Sequence, residues 1–127
     1  MKLMIASDIH GSAFYCEQMI EAYKREGADK LLLLGDILYH GPRNDLPEGY
    51  APKAVIAMLN PMKKELLCVR GNCDTEVDQM VLEFPVMADY CILAINGLTF
   101  YATHGHVYNE NNLPPFHEGD ILIHGHT

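Results

Sequence analysis

The sequence contains no apolar run of about twenty residues, the length that a membrane-spanning helix needs. It is also poor in basic residues, with 9 Lys and Arg against 17 Asp and Glu, which gives a net charge of −8. Non-specific nucleic-acid binding depends on cationic side chains that neutralise phosphates, so this charge argues against it. We therefore expect a protein with no membrane segment and no nucleic-acid partner.

The four cysteines of the 127-residue chain show neither CxxC spacing nor the density of a disulfide framework. No signal-peptide pattern precedes the first strand-like run, and no repeat, low-complexity tract or linker interrupts the sequence. A hydrophobic content of 49% with 20% charged residues is typical of a globular domain. We therefore expect reduced thiols, a cytoplasmic location and a single domain over residues 1–127.

Hydrophobic periodicity predicts a strand–helix–strand unit at the start of the chain. Residues 2–7 form a nearly continuous apolar run, which is typical of a central strand buried on both faces. A helix is predicted over residues 13–26, with Tyr15 on its buried stripe, and a second strand over residues 31–34. This spacing indicates a βαβ unit, whose two strands run parallel.

The rest of the pattern predicts a third strand followed by a hairpin. Asn96-Gly97 lies between two strand-like runs, and Asn-Gly in that position is the strongest short hairpin signal. The further predicted elements are a polar loop over 37–50, a helix over 52–59, a strand over 65–69, a short helix over 75–82, hairpin strands over 86–95 and 98–103, and a last strand over 120–124.

Every predicted strand except the first arm of the hairpin ends in a residue that can bind a metal. Open α/β sheets place ligands at the carboxyl ends of their strands, so we expect these side chains to converge. The preferences of residues for loops do not explain why histidines stand at strand ends, which favours a metal site. The neighbouring glycines also favour it, because they allow the backbones to approach closely. Six oxygen and nitrogen ligands exceed the needs of one tetrahedral ion and suit two divalent ions. The candidates are Asp8, His10, Asp36, Asn72, His104 and His126.

The order of these motifs resembles that of the calcineurin-like metallophosphoesterase family, which is marked by D-x-H, G-D, G-N-x-D, H and G-H-x-H. Here the motifs stand as Asp8-Ile9-His10, Gly35-Asp36, Gly71-Asn72-Cys73-Asp74, His104 and Gly125-His126-Thr127. Within that family, the segments at residues 40–52 and 70–74 resemble the bacterial YfcE-type phosphodiesterases.

The resemblance implies an α/β fold, a β-sandwich flanked by helices that starts βαβαβ and continues into a β-hairpin. The chain stops inside the final G-H-x-H motif, so we expect a domain that is incomplete at its C-terminus. We also expect weaker metal retention and lower stability than in a chain that carries the second histidine of that motif.

The resemblance further implies two divalent ions, most simply Mn²⁺, with Zn²⁺, Fe²⁺ and Ni²⁺ as alternatives. One ion would take Asp8, His10 and Asp36, and the other would take Asp36, Asn72, His104 and His126. Two such ions lower the pKa of a bridging water, and the resulting hydroxide attacks phosphorus in line with the leaving alcohol.

Cys73 stands where the broad family usually has a histidine that acts as a proton donor. A neutral thiol is a weak hydrogen-bond donor, and we expect Cys73 to pack rather than to act as a nucleophile. His40 and His106 are the alternative catalytic candidates. The candidates for contacts with the substrate phosphate are Arg43, Asn44 and Asn72.

The expected function is hydrolysis of a small phosphodiester substrate by a two-metal enzyme, with a homo-oligomer left open. Two alternatives remain at the level of the sequence. One is a phosphomonoesterase. The other is an interaction scaffold without hydrolytic activity, similar to the retromer subunit that resembles this fold.

Overall fold

The structure is a computed structural model that describes residues 1–41 and 45–126. Within these residues the fold consists of two three-stranded sheets and three α-helices. The first sheet contains strands β1 (Leu3–Ala6), β2 (Lys30–Leu33) and β3 (Leu66–Cys68). The second contains β4 (Cys91–Ile95), β5 (Leu98–Thr103) and β6 (Ile121–His124). The helices are α1 (Ala13–Glu26), α2 (Pro52–Leu59) and α3 (Glu76–Val81), with a 3₁₀ turn at Asn60–Met62. Within the described ranges no helix has both the length and the apolarity to cross a membrane.

The leucine run of β2 explains the order of the layers. Successive side chains of a strand point to opposite faces of the sheet. Leu31 and Leu33 accordingly pack in the cluster that joins the sheet to the helices, whereas Leu32 and Leu34 pack in the cluster shared with the second sheet. The three strands β1, β2 and β3 pair in parallel in that order, so β2 is central, and its three leucines are fully buried. The result is a two-sheet sandwich with helices on the outer face of the first sheet.

Strand β1 differs from the expectation of a central strand, because it lies at the edge of the first sheet. Its Ile5 is 41% exposed, and no residue of the strand falls among the buried core residues. The apolar run at residues 2–7 indicated a strand correctly, but its position in the sheet depends on which strands pair with β2.

Helix α1 has the predicted bounds. The Ser12 side chain accepts a hydrogen bond from the Tyr15 N–H at 3.1 Å, and Gly27 ends the helix with φ 63°. The predicted buried stripe is wrong at Tyr15, which is 52% exposed, whereas Cys16 is fully buried. Met19 and Tyr23 pack against the same core cluster as Cys16, so the buried stripe begins one residue later than predicted.

The hairpin has the predicted turn but a shorter first arm. Asn96 and Gly97 both have positive φ, 52° and 78°, which is the geometry of a two-residue turn that matches strand twist. Strand β4 begins at Cys91 rather than at residue 86. Before this strand, the Ala88 carbonyl accepts the Arg70 N–H at 2.7 Å, so this segment contacts the chain just beyond β3 instead of extending the hairpin.

The packing of β2 leads to a stability prediction. Leu32 is fully buried between the two sheets, so Leu32→Ala leaves a cavity there and should lower the free energy of unfolding by about 2–5 kcal/mol. Urea unfolding followed by circular dichroism measures the change. Leu113→Ala is the matched control, since Leu113 is 56% exposed and its truncation should cost within about 0.5 kcal/mol. Equal losses in the two variants would contradict the assigned core.

Candidate metal centre

The six predicted ligand residues lie together at one end of the sandwich. Asp8, Asp36 and Asn72 follow the carboxyl ends of the three parallel strands of the first sheet. His104 follows β5 directly, and its carbonyl accepts the Gly125 N–H at 2.8 Å, which joins the ends of β5 and β6. His126 is thereby brought beside the first sheet, where its N–H donates to Asp8 Oδ2 at 3.2 Å. Five segments that are distant in sequence thus meet at one point.

The imidazole of His104 is the centre of one half of the cluster. Its Nε2 lies 3.1 Å from Asp36 Oδ2, 3.0 Å from Asn72 Oδ1 and 3.0 Å from His126 Nδ1. Asp8 Oδ1 lies 3.9 Å from the same nitrogen. Both His104 and Asp36 are 1% exposed, so this half of the cluster is closed to solvent from the side of the sheets.

His10 belongs to the other half. Its Nε2 lies 3.3 Å from Asp8 Oδ1 and 3.5 Å from Asp36 Oδ2. Within the described part of the chain, two groups of ligand atoms lie within 4.8 Å of one another, and Asp36 belongs to both. The first consists of Asp8, Asp36, His104 and His126, and the second of His10, Asp36 and Cys73.

Backbone carbonyls fix the orientation of two histidine rings. His10 Nδ1 lies 2.7 Å from the Tyr39 carbonyl oxygen, and His104 Nδ1 lies 2.6 Å from that of Leu34. A carbonyl oxygen can only accept, so Nδ1 carries the proton in both rings. In the neutral rings Nε2 then presents its lone pair to the cluster. Histidines that bind metals are typically held by the second nitrogen in this way.

Hydrogen bonds also orient the carboxylates of Asp8 and Asp36. Asp36 Oδ1 accepts the Cys73 N–H at 2.8 Å, and Asp8 Oδ2 accepts from the Ser7 hydroxyl and the His126 N–H. One oxygen of each carboxylate is thus anchored to protein donors. The other oxygen of each, Asp8 Oδ1 and Asp36 Oδ2, points to the histidines.

The donor set fits a divalent cation. Around His104 Nε2 lie a carboxylate oxygen, an amide oxygen and an imidazole nitrogen, and a single proton on that nitrogen cannot satisfy all three. A cation can be shared by all of them. Mixed oxygen and imidazole ligands suit borderline divalent metals such as Mn²⁺, Fe²⁺ and Zn²⁺.

Asp36 and His104 shift each other's pKa in opposite directions. Burial alone would raise the pKa of Asp36, but hydrogen bonds from His104 and the Cys73 N–H outweigh it and hold that pKa below its usual value. Burial likewise opposes the charged form of His104, yet the Asp36 carboxylate and the Leu34 carbonyl raise the pKa of this imidazole above its usual value. Asp36 is therefore a carboxylate anion at neutral pH, the form that binds a cation.

Strained backbone is concentrated at the cluster. Within the described residues, positive φ occurs at five non-glycine positions. Asn96 belongs to the hairpin turn, and the other four are candidate ligands: Asp8, His10, Asp36 and His126. Positive φ costs of order 1–3 kcal/mol at such residues and is tolerated mainly where function requires a particular side-chain direction.

Asp74 has no role predicted from the sequence, although it lies at the base of the site. We call residues 35–37 the β2 loop and residues 71–74 the β3 loop. Asp74 is 2% exposed, and its Oδ2 accepts the N–H groups of Asp36 at 2.8 Å and Gly71 at 2.7 Å. Its Oδ1 accepts the Ile37 N–H at 3.0 Å. The signal that could have found it is its fixed place after Gly71 in the same motif.

The catalytic candidates lie in different positions. The His106 ring is exposed at the edge of the cluster, 5.3 Å from the His104 ring and 6.1 Å from that of His126. Burial and then the neighbouring imidazoles lower the pKa of His106. The His40 ring packs edge-on between Tyr39 and Tyr50, at 4.8 and 5.3 Å. Of the substrate candidates, Asn72 lies in the cluster, whereas Arg43 and Asn44 lie outside the described residues.

Cys73 is buried, with 8% of its surface exposed. Burial, followed by the charges of Asp36, Asp74 and Asp8, raises the pKa of its thiol to about 11. At neutral pH the side chain is therefore a neutral thiol, which is a poor nucleophile.

The chain matches the calcineurin-like phosphoesterase superfamily domain over residues 1–127. The same chain has a βαβ start, a two-sheet sandwich, and histidine and aspartate candidate ligands at its strand ends. The chain therefore belongs to the calcineurin-like phosphoesterase superfamily. The predicted family and the predicted fold class are confirmed.

Among known proteins, the chain is 49% identical over 127 residues to Phosphodiesterase YfcE of Escherichia coli strain K12. The same identity is found with Phosphodiesterase YfcE of Escherichia coli O157:H7. In both comparisons the match covers 100% of this chain and 69% of the relative.

The solved structure of YfcE, described as a phosphoesterase from E. coli, superimposes with a TM-score of 0.92 at 48% identity. That match covers 94% of this chain and 66% of the YfcE chain, so the chain spans about two thirds of the length of this relative. An archaeal phosphodiesterase matches with a TM-score of 0.58 at 24% identity, over 84% of this chain and 60% of that one, and this likeness supports the fold alone.

Close packing of the β2 and β3 loops generates the next prediction. A Cβ atom on Gly71 would lie 2.6 Å from the Asp36 backbone nitrogen and would also meet the Asp36 carboxylate. Gly71→Ala should therefore displace Asp36 and weaken Mn²⁺ binding at least about tenfold, as measured by isothermal titration calorimetry.

Gly27→Ala is the control for this variant. A Cβ atom at Gly27 meets nothing within 4 Å, but its φ of 63° makes alanine strained at the end of α1. This control should lower the melting temperature and leave Mn²⁺ affinity unchanged. Unaltered Mn²⁺ binding by Gly71→Ala would contradict the assigned role of the loop contact.

Proposed function

We propose that the protein is a metal-dependent phosphodiesterase that hydrolyses a small phosphodiester at a centre of two divalent ions. The observation that carries the proposal is the position of Asp36, whose Oδ2 lies 3.5 Å from His10 Nε2 and 3.1 Å from His104 Nε2. A shared carboxylate is the element that a two-ion centre requires. The name of the YfcE relatives, which are 49% identical, supports a phosphodiester over other esters.

The six ligand candidates divide into two sets in this proposal. Asp8, His10 and Asp36 hold one ion, and Asp36, Asn72, His104 and His126 hold the other. When bound, two ions supply a water of lowered pKa and neutralise charge that develops on the phosphoryl oxygens. Mn²⁺ is the proposed metal, with Zn²⁺, Fe²⁺ or Ni²⁺ as alternatives.

Residues at the rim contribute to substrate binding. Asn72 is exposed, and its amide oxygen faces His104, so its amide lies between the cluster and the solvent. Arg43 and Asn44 are proposed to contact phosphate oxygens. Of the two histidines proposed as proton donors to the leaving alcohol, His106 is favoured by its exposed place beside His104 and His126, with His40 as the alternative.

Two other functions remain rivals. A phosphomonoesterase would use the same centre, and its substrate preference is a separate measurement. An interaction scaffold without hydrolytic activity is less well supported, because the polar atoms of the cluster are oriented by dedicated hydrogen bonds to Leu34, Tyr39 and Cys73. We also propose a cytoplasmic location, a single domain and no nucleic-acid partner, with a homo-oligomer left open.

Hydrolysis of bis-p-nitrophenyl phosphate with added Mn²⁺ tests the proposal. We expect turnover that depends on Mn²⁺ and that is faster than turnover of p-nitrophenyl phosphate, a monoester. Asp36→Asn removes the charge of the shared ligand and should lower kcat/KM by more than about 100-fold. Loss of a residue that only orients a ligand typically costs about 10- to 100-fold, so the expected effect is larger. Asp29→Asn is the matched control, since Asp29 is an exposed carboxylate that accepts the Lys2 N–H.

Each outcome of this assay separates the rivals. Faster hydrolysis of the monoester would favour the phosphomonoesterase. Binding of Mn²⁺ without turnover of either ester would favour the scaffold. Full activity of Asp36→Asn would overturn the two-ion proposal itself.

Cys73 provides a further prediction about the chemistry. Because its buried thiol is neutral, Cys73→Ser should keep kcat within about tenfold of wild type, whereas removing a true nucleophile costs on the order of 10⁶-fold. Steady-state hydrolysis of bis-p-nitrophenyl phosphate measures the effect. Cys16→Ser is the control, since Cys16 is also buried but lies on α1. Loss of activity in Cys73→Ser alone would assign the thiol a chemical role.

A further inference from the structure

Asp74 joins the two loops that carry ligands of the centre. One oxygen of its carboxylate, Oδ2, accepts one N–H from each loop, that of Asp36 in the β2 loop and that of Gly71 in the β3 loop. The other oxygen accepts the N–H of Ile37. Asp36 and Ile37 lie 38 and 37 residues from Asp74 in sequence, so the contact is between separate segments of the fold.

A reciprocal bond completes this connection. The Cys73 N–H, in the β3 loop, donates to Asp36 Oδ1, in the β2 loop, at 2.8 Å. Asp74 therefore holds the backbone of Asp36, while Cys73 holds its side chain. The remaining oxygen of Asp36 is aimed at His104, whose Nε2 also faces the Asn72 oxygen.

We propose that Asp74 is a positioning residue for the metal centre, which sets the distance between the shared ligand Asp36 and the amide ligand Asn72. The inference rests on the proposed function, since it assumes that these residues bind ions. Asp74 itself belongs to neither group of ligand atoms found among the described residues, and its oxygens are engaged by backbone donors.

The negative charge of Asp74 suits this task. A carboxylate offers acceptors only, and charged acceptors form hydrogen bonds about twice as strong as neutral ones. An asparagine at the same place would present an amide NH₂ to backbone N–H groups, so part of the connection must be lost. Because Asp74 is 2% exposed, water cannot readily replace the lost bonds.

Asp74→Asn tests the proposal, with Asp78→Asn as the matched control. Asp78 also accepts a backbone N–H, that of Thr75 at 3.1 Å, but its bond caps α3 and does not reach the β2 loop. Mn²⁺ binding is measured by calorimetry on variants that circular dichroism shows to be folded. The visible spectrum of the Co²⁺-loaded protein reports ligand geometry, which loss of stability alone does not change.

We expect Asp74→Asn to weaken Mn²⁺ binding about 10- to 100-fold and to alter the Co²⁺ spectrum. Asp78→Asn should lower the melting temperature but keep both the Mn²⁺ affinity and the Co²⁺ spectrum of wild type. Wild-type binding and a wild-type spectrum in Asp74→Asn would overturn the proposal, whatever its melting temperature.

Amide hydrogen exchange in the wild-type protein keeps the proposal testable if Asp74→Asn does not fold. The N–H groups of Asp36, Ile37 and Gly71 should exchange far more slowly than that of Asn111, which is exposed and bonded only to a side chain. Fast exchange at the three loop amides would overturn the proposal. Wild-type protein that binds no Mn²⁺ would overturn the proposed function instead, and the exchange result would still decide whether Asp74 holds the two loops together.

Discussion

The contact between the backbones of the β2 loop and the β3 loop is the constraint on which the site depends. A Cβ atom on Gly35 would lie 2.7 Å from Gly71 Cα, closer than real Cβ contacts occur, so both positions need glycine for the loops to meet. This approach places Asp36 where its one free oxygen reaches His10 and His104.

The rigid part of the fold makes this strained arrangement tolerable. Strand β2 is central in its sheet and its leucines are fully buried, so the β2 loop starts from a fixed position. The strained residues Asp8, Asp36 and His126 all lie just beyond strand ends, where positive φ turns the side chain towards the cluster. Burial in the core offsets the local cost, and a cation that binds only the folded arrangement would add stability.

Sequence alone predicted that the candidate ligands converge, because parallel strands bring their carboxyl ends to one edge, whatever their order in the sheet. It failed for β1, which lies at the edge, since strand order depends on pairings between distant segments. It failed for Tyr15, because positions 15 and 16 both fit a helical stripe through Met19 and Tyr23, and the spacing alone did not select Cys16 as the buried one. The motif contains Asp74, but its hydrogen bonds could not be predicted, because its partners are backbone N–H groups whose positions depend on the fold.

The charge of the proposed metal centre explains how a negatively charged chain could bind an anionic substrate. A chain of net charge −8 is a poor attractor of phosphate esters, which are anions. Of the six ligand candidates only Asp8 and Asp36 are carboxylates, and the others are neutral donors when they bind a metal. Two divalent cations would therefore leave the centre net positive by two charges, and bound ions dominate the local field of such a site. In the proposed enzyme, the few anionic ligands keep the ions in place while the excess positive charge is left for the substrate.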